Sequence, residues 1–145
     1  SYFYGEQNTE KLRKLRSISL RFIVTVGIIT SLSSVFGSKI LVEIFTEPVM
    51  PAYKLAVHGN RLFSVALLLV GINTFTSALF TALSNGIISA VISFGRTFVF
   101  LAGGIIILPL FWGIDGIWLS VPIAEGLTLL ISVFFFKKYQ KRYGY

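Results

Sequence analysis

Between Arg61 and Arg96 lie 34 consecutive residues without one Asp, Glu, Lys or Arg. A membrane crossing takes roughly 20 apolar residues, so this run holds one crossing and the start of a second. A soluble core helix has no need of such length. The whole chain agrees: of 145 residues 54% are hydrophobic and 13% charged, and the mean hydropathy is +0.80, which is membrane composition. There is no cysteine, and His58 is the single histidine, so disulfide, zinc and thiol-nucleophile chemistry are excluded and no metal site is expected. The net charge of +7 could point to nucleic acid. Eight of the thirteen basic residues, however, fall in two clusters beside apolar runs: Lys11, Arg13, Lys14 and Arg16, then Lys137, Lys138, Lys141 and Arg142. That placement orients a chain in a membrane, and no nucleic-acid partner is expected.

Four apolar segments can be read, and they predict an all-α integral membrane fold: four transmembrane helices in an antiparallel bundle. They lack the period-two alternation of barrel strands, and lipid leaves helices as the other way to satisfy the backbone. Residues 1–16 read as a cytoplasmic loop and 17–145 as the membrane segment, with helices at about 17–45, 52–84, 87–111 and 114–138. Pro48 and Pro51, the Ser84-Asn85-Gly86 turn and the stretch from Pro109 to Gly116 supply the breaks. Both basic ends are expected in the cytoplasm, as an even number of crossings requires. Trp112 and Trp118 bracket the outer turn, while Tyr139, Tyr143 and Tyr145 follow the inner end.

Polar residues inside such segments carry the functional reading. Glu125 is 12 positions before Lys137, which places it roughly 18 Å from the cytoplasmic end at the helical rise. A charged carboxylate there costs about 2.5 kcal/mol or more and must face protein or water. Pro122, one turn earlier, removes a backbone donor from the carbonyl of Trp118 and predicts a kink. Arg96 is 10 positions past Gly86, roughly 15 Å deep on an antiparallel helix, so it should reach the level of Glu125. Asn73 and Thr74, 13 and 12 positions before Gly86, should reach it too. Glu125, Arg96, Asn73 and Thr74 are therefore the candidate cation- or substrate-site residues. Each also has a plainer reading: Glu125 as a packing carboxylate, Arg96 as an interfacial anchor, Asn73 and Thr74 as helix-to-helix hydrogen bonders. Arg21 reads as an anchor, Asp115 as a turn former and His58 as a solvated loop residue. No phosphate loop or nucleophile motif appears, and no enzyme is expected.

The order of several segments resembles the multidrug and toxic compound extrusion (MATE) family. "SYFYGEQNTEKLRKL" resembles the passage after that family's eighth helix, and "VEIFTEP" is similar to the end of the ninth. "SALFTALSNGIISAVISFGRTF" resembles the junction of the tenth and eleventh, and "GIDGIWLSVPIAEGL" the start of the twelfth, with Trp118, Pro122 and Glu125. The likeness covers essentially the whole chain and the last four of the family's twelve helices. It implies a two-lobe secondary antiporter in the plasma (cytoplasmic) membrane that exports drugs or other small lipophilic or cationic compounds by alternating access. Protons or sodium ions would drive it, and no other cofactor is implied. The partners would be membrane lipid and the remaining helices of the full-length transporter, of roughly 435 residues at this spacing of helices. Some members carry an aspartate in the tenth helix where Asn73 or Thr74 stands here. Lipid-linked oligosaccharide flippases share the architecture and are the alternative within the resemblance. Outside it, the alternatives are a four-helix membrane scaffold or assembly subunit and a small dimerising exporter.

Overall fold

The computed structural model describes residues 1–144, which are helical almost throughout; Tyr145, expected at the inner end, lies outside the described residues. A short α1, Tyr2–Gly5, precedes α2, Thr9–Phe36, and α3, Ser38–Glu43. Then come α4, Pro51–Ala82, and α5, Gly86–Phe94, which passes through a π-helical stretch, Gly95–Leu101, into α6, Ala102–Tyr143. Three helices are long and apolar enough to cross a membrane: Thr9–Phe36, Pro51–Ala82 and the continuous 58-residue run Gly86–Tyr143.

Local chemistry sets the boundaries. Helix α2 starts inside the basic opening because the Asn8 side chain accepts from the amide of Lys11 and Glu10 sits in the first turn, where both complement the exposed N–H groups. It stops at Gly37, so the segment expected over 17–45 is divided there, and Ser38 turns its hydroxyl back to the carbonyls of Ser34 and Val35. Pro51 opens α4, the position where its missing N–H costs nothing. His58, read singly as a solvated loop residue, lies in the first turns of this helix, within the span expected over about 52–84.

A straight 58-residue helix would measure roughly 87 Å, far beyond a bilayer. The run bends back at Gly113, whose backbone angles of φ 56° and ψ −134° suit glycine. A methyl group on Gly104 would stand 3.4 Å from Cβ of Ser120, and one on Gly116 would collide with the Leu108 carbonyl. Residues before and after Gly113 thus lie against each other. Pro122 keeps helical backbone angles.

Packing is concentrated at one end. Phe80 is fully buried and meets the rings of Phe135, Phe136 and Tyr139 edge-on, at centroid distances of 6.4, 6.3 and 6.1 Å. The two chain ends meet there: Arg13 Nε donates to the carbonyl of Gly144 at 2.9 Å, and Tyr4 packs edge-on against Tyr143. The Asn85 amide also donates to the Tyr143 hydroxyl. At the far end His58 Nε2 lies 3.1 Å from Asp115, and the Trp118 indole lies directly on Gly59. Small residues bring α2 onto α4, with Gly27 buried against the backbone of Leu67 and Leu68. Large apolar side chains such as Phe36, Ile106 and Leu130 face outward, as lipid or further helices permit.

Because the Trp118 ring occupies the space over Gly59, Gly59→Leu is expected to destabilise the protein by about 1–3 kcal/mol through overpacking. Gly103→Ala, where a methyl meets nothing within 4 Å, serves as the neutral control. Thermal unfolding in detergent separates the two.

Candidate functional site

The four polar residues singled out by depth are neighbours in space. Asn73 and Thr74 come from the middle of α4, Arg96 from the π-helical stretch and Glu125 from α6, one turn after Pro122. Glu125 is 6% exposed and Asn73 1%, so water cannot satisfy them and protein must. The Asn73 amide nitrogen donates to Oε2 of Glu125 at 2.8 Å and to the Glu125 backbone carbonyl at 2.9 Å. Its oxygen accepts from the Ser132 hydroxyl at 3.0 Å. Both ends of the amide are therefore fixed, donors toward the carboxylate and acceptor toward the hydroxyl.

The other carboxylate oxygen, Oε1, lies 3.7 Å from Nη1 of Arg96. That separation is an ion pair longer than a hydrogen bond. Nη1 donates to the Thr74 hydroxyl at 3.2 Å. A pocket of about 200 Å³ opens beside Arg96, lined by Asn73, Thr74, Ser77, Ala78, Ile92, Ser93 and Arg96 itself. Sites for drug-sized molecules begin at roughly 300 Å³, so this pocket suits water or an ion. Within the described residues no group of three or more His, Asp or Glu side chains is placed to hold a metal ion.

Other residues take plainer positions. His58 and Asp115 form their pair at the exposed far end, and Arg21 lies on the exposed side of α2. Pro122 leaves the Trp118 carbonyl without an α-helical donor, and the Trp118 indole nitrogen is buried without a hydrogen-bond partner among the described residues. Two participants were not foreseen. Ser132 stands seven positions after Glu125, two helical turns along the same face, a spacing that could have revealed it. The π-helical turn around Arg96 has no comparable signal in "GRTFVFL", although such turns often mark functional positions.

Truncation by Asn73→Ala leaves Glu125 Oε2 and the Ser132 hydroxyl without their partner, and is expected to cost about 1–3 kcal/mol. Ser132→Ala, which frees only the amide oxygen, should cost less. Unfolding in mixed detergent measures both; equal losses would mean that Asn73 does not anchor the carboxylate. No family model, no curated protein and no solved structure matches this chain.

Proposed function

We propose that the chain is the last four crossings of a MATE-type secondary antiporter, with Glu125 as a coupling carboxylate in the carboxy-terminal lobe. The observation that carries this reading is the convergence of Asn73, Thr74, Arg96 and Glu125 from three segments. A membrane-embedded ion pair is costly, and a function is its usual reason for persisting. The bundle of four antiparallel crossings is supported by the turn at Gly113 and by the contacts on either side of it. It is supported too by Arg13 meeting Gly144, since an even number of crossings brings both chain ends to the same end of the bundle.

The geometry favours a proton over sodium. Asn73 presents N–H groups to the carboxylate and Arg96 adds a positive charge on the other oxygen. A sodium ion would meet donors and a cation where it needs oxygen ligands. A proton needs only the carboxylate. The gross attraction between Glu125 and Arg96 at 3.7 Å is on the order of 4 kcal/mol at an effective dielectric near 20. Protonation removes it. Losing that attraction biases the Arg96 segment toward an arrangement in which it no longer meets Glu125. The Asn73 bond to the Glu125 backbone carbonyl survives protonation, so α4 and α6 stay joined while the Arg96 segment is released. Substrates would be lipophilic cations taken up in the cavity between this lobe and the remaining helices.

Glu125→Gln in the intact transporter, a change of little volume, is expected to reduce proton-driven efflux at least about tenfold, one pH unit's worth of coupling, and to flatten its pH dependence. Full activity with an unaltered pH profile would leave Glu125 a packing residue.

A further inference from the structure

A second polar array meets the site from the side of the turn between α4 and α5. Thr81 and Ser89 stand four positions either side of Asn85, Ser77 and Ser93 eight, Thr74 and Arg96 eleven. Residues equidistant from a tight turn face each other when two helices fold back, and all three pairs are hydrogen-bonded. Thr81 Oγ1 donates to Ser89 Oγ at 2.8 Å, the hydroxyls of Ser77 and Ser93 are 2.9 Å apart, and Arg96 reaches Thr74 at 3.2 Å. Ser77 also lies 2.8 Å from Ser89 Oγ, so the lower two rungs are joined. Seven helical steps on each side make the array roughly 10 Å long.

Two further observations say what fills it. The 200 Å³ pocket occupies the gap between the Ser77–Ser93 rung and the Thr74–Arg96 rung, with room for several waters. Arg96 carries five N–H donors; among the described residues its one hydrogen bond is to Thr74, and its side chain is 30% exposed. Those donors cannot be left to lipid. Thr74, Thr81 and Ser93 are exposed on the same side. An array of hydroxyls, each able to donate and accept, ending in an under-bonded guanidinium beside a carboxylate, is a wall built for water.

We propose that this α4–α5 face lines a water-filled path joining the Glu125 carboxylate to the cytoplasmic side of the membrane. The inference rests on the transporter reading for its orientation, since the turn at Asn85 is cytoplasmic only if both chain ends are. Water held along the rungs carries protons between Glu125 and the cytoplasm by exchange of hydrogen bonds, without a bound cation. Because the path enters from the cytoplasm, it serves the release of the coupling proton.

The test places single cysteines at Ser77, Thr81 and Ser93 of the intact protein, any cysteines elsewhere replaced by serine, and at the outward apolar positions Ile106 and Leu130. The probe is a negatively charged, membrane-impermeant methanethiosulfonate, applied to inverted and right-side-out vesicles. Thiolate forms in water and not in lipid, so the array positions should react about tenfold or more faster than the apolar ones, and from the cytoplasmic face. Rates as slow as at Ile106 and Leu130, or reaction only from the outer face, overturn the path. Serine and cysteine are close in volume, and gel filtration identifies any variant that does not fold; Thr81 and Ser93 suffice if Ser77 fails. Labelling with unimpaired efflux in Glu125→Gln keeps the path and removes the coupling role. The absence of labelling with lost efflux does the reverse.

Discussion

A carboxylate buried in an apolar bundle has to be held by protein groups, and here the Asn73 amide does most of the holding. It gives one hydrogen bond to the side chain and one to the backbone of Glu125 and is itself oriented by Ser132. This arrangement works only if α4 and the second half of α6 stay in register. Three contacts tie the two segments together from one end to the other: His58 with Asp115, Asn73 with Glu125 and, just past the end of α4, Asn85 with Tyr143. The Trp118 ring on Gly59 and the aromatic cluster around Phe80 fix the two ends. A slip of one residue would rotate Asn73 by about 100° away from the carboxylate.

The same need for specific contacts explains how the apolar helices associate. In lipid, apolar side chains gain little by meeting each other, so small residues and hydrogen bonds decide which surfaces join. Between α2 and α4 that role falls to Gly27 and to a buried hydroxyl cluster. Ser64 donates to Ser34 at 2.7 Å, Ser31 donates to the Ser64 carbonyl at 2.9 Å, and the Asn60 amide reaches Ser38 at 3.1 Å. Glu43 accepts from the Tyr53 hydroxyl, which fastens the end of α3 to the start of α4.

Much of the site was legible in the sequence because helical rise is nearly constant. Counting residues from a turn converts directly into depth, and that arithmetic aligned Arg96, Glu125, Asn73 and Thr74, which the structure brings within contact distance. Counting says nothing of azimuth, so Ser132 and the hydroxyl rungs went unread even though their spacings are helical. Local backbone departures were also hidden. Gly37 divides the first segment, whereas the start of α4 at Pro51 agrees with the helix expected from about residue 52. Glycine was expected in the turn at 109–116, but the sharpness of the reversal at Gly113 depends on contacts made across it, at Gly104 and Gly116.

The π-helical stretch explains how one helix serves two neighbours. From Gly86 to Arg96 the residues hydrogen-bonded to α4 are Ser89, Ser93 and Arg96, which share a face at the ordinary helical period. Beyond it the contact passes to the segment after Gly113, through Gly104 against Ser120 and a pocket walled by Val99, Leu108, Ile123 and Leu127. A residue inserted into the i→i+4 pattern rotates everything after it by about 100°, which turns the second half from one partner toward the other. Arg96 sits at the start of that rotation, where it bonds to α4 through Thr74 and pairs with α6 through Glu125. Removing the charge on Glu125 would therefore loosen the ion pair that joins the π-helical stretch to α6, and leave the Thr74 bond to hold that stretch on α4.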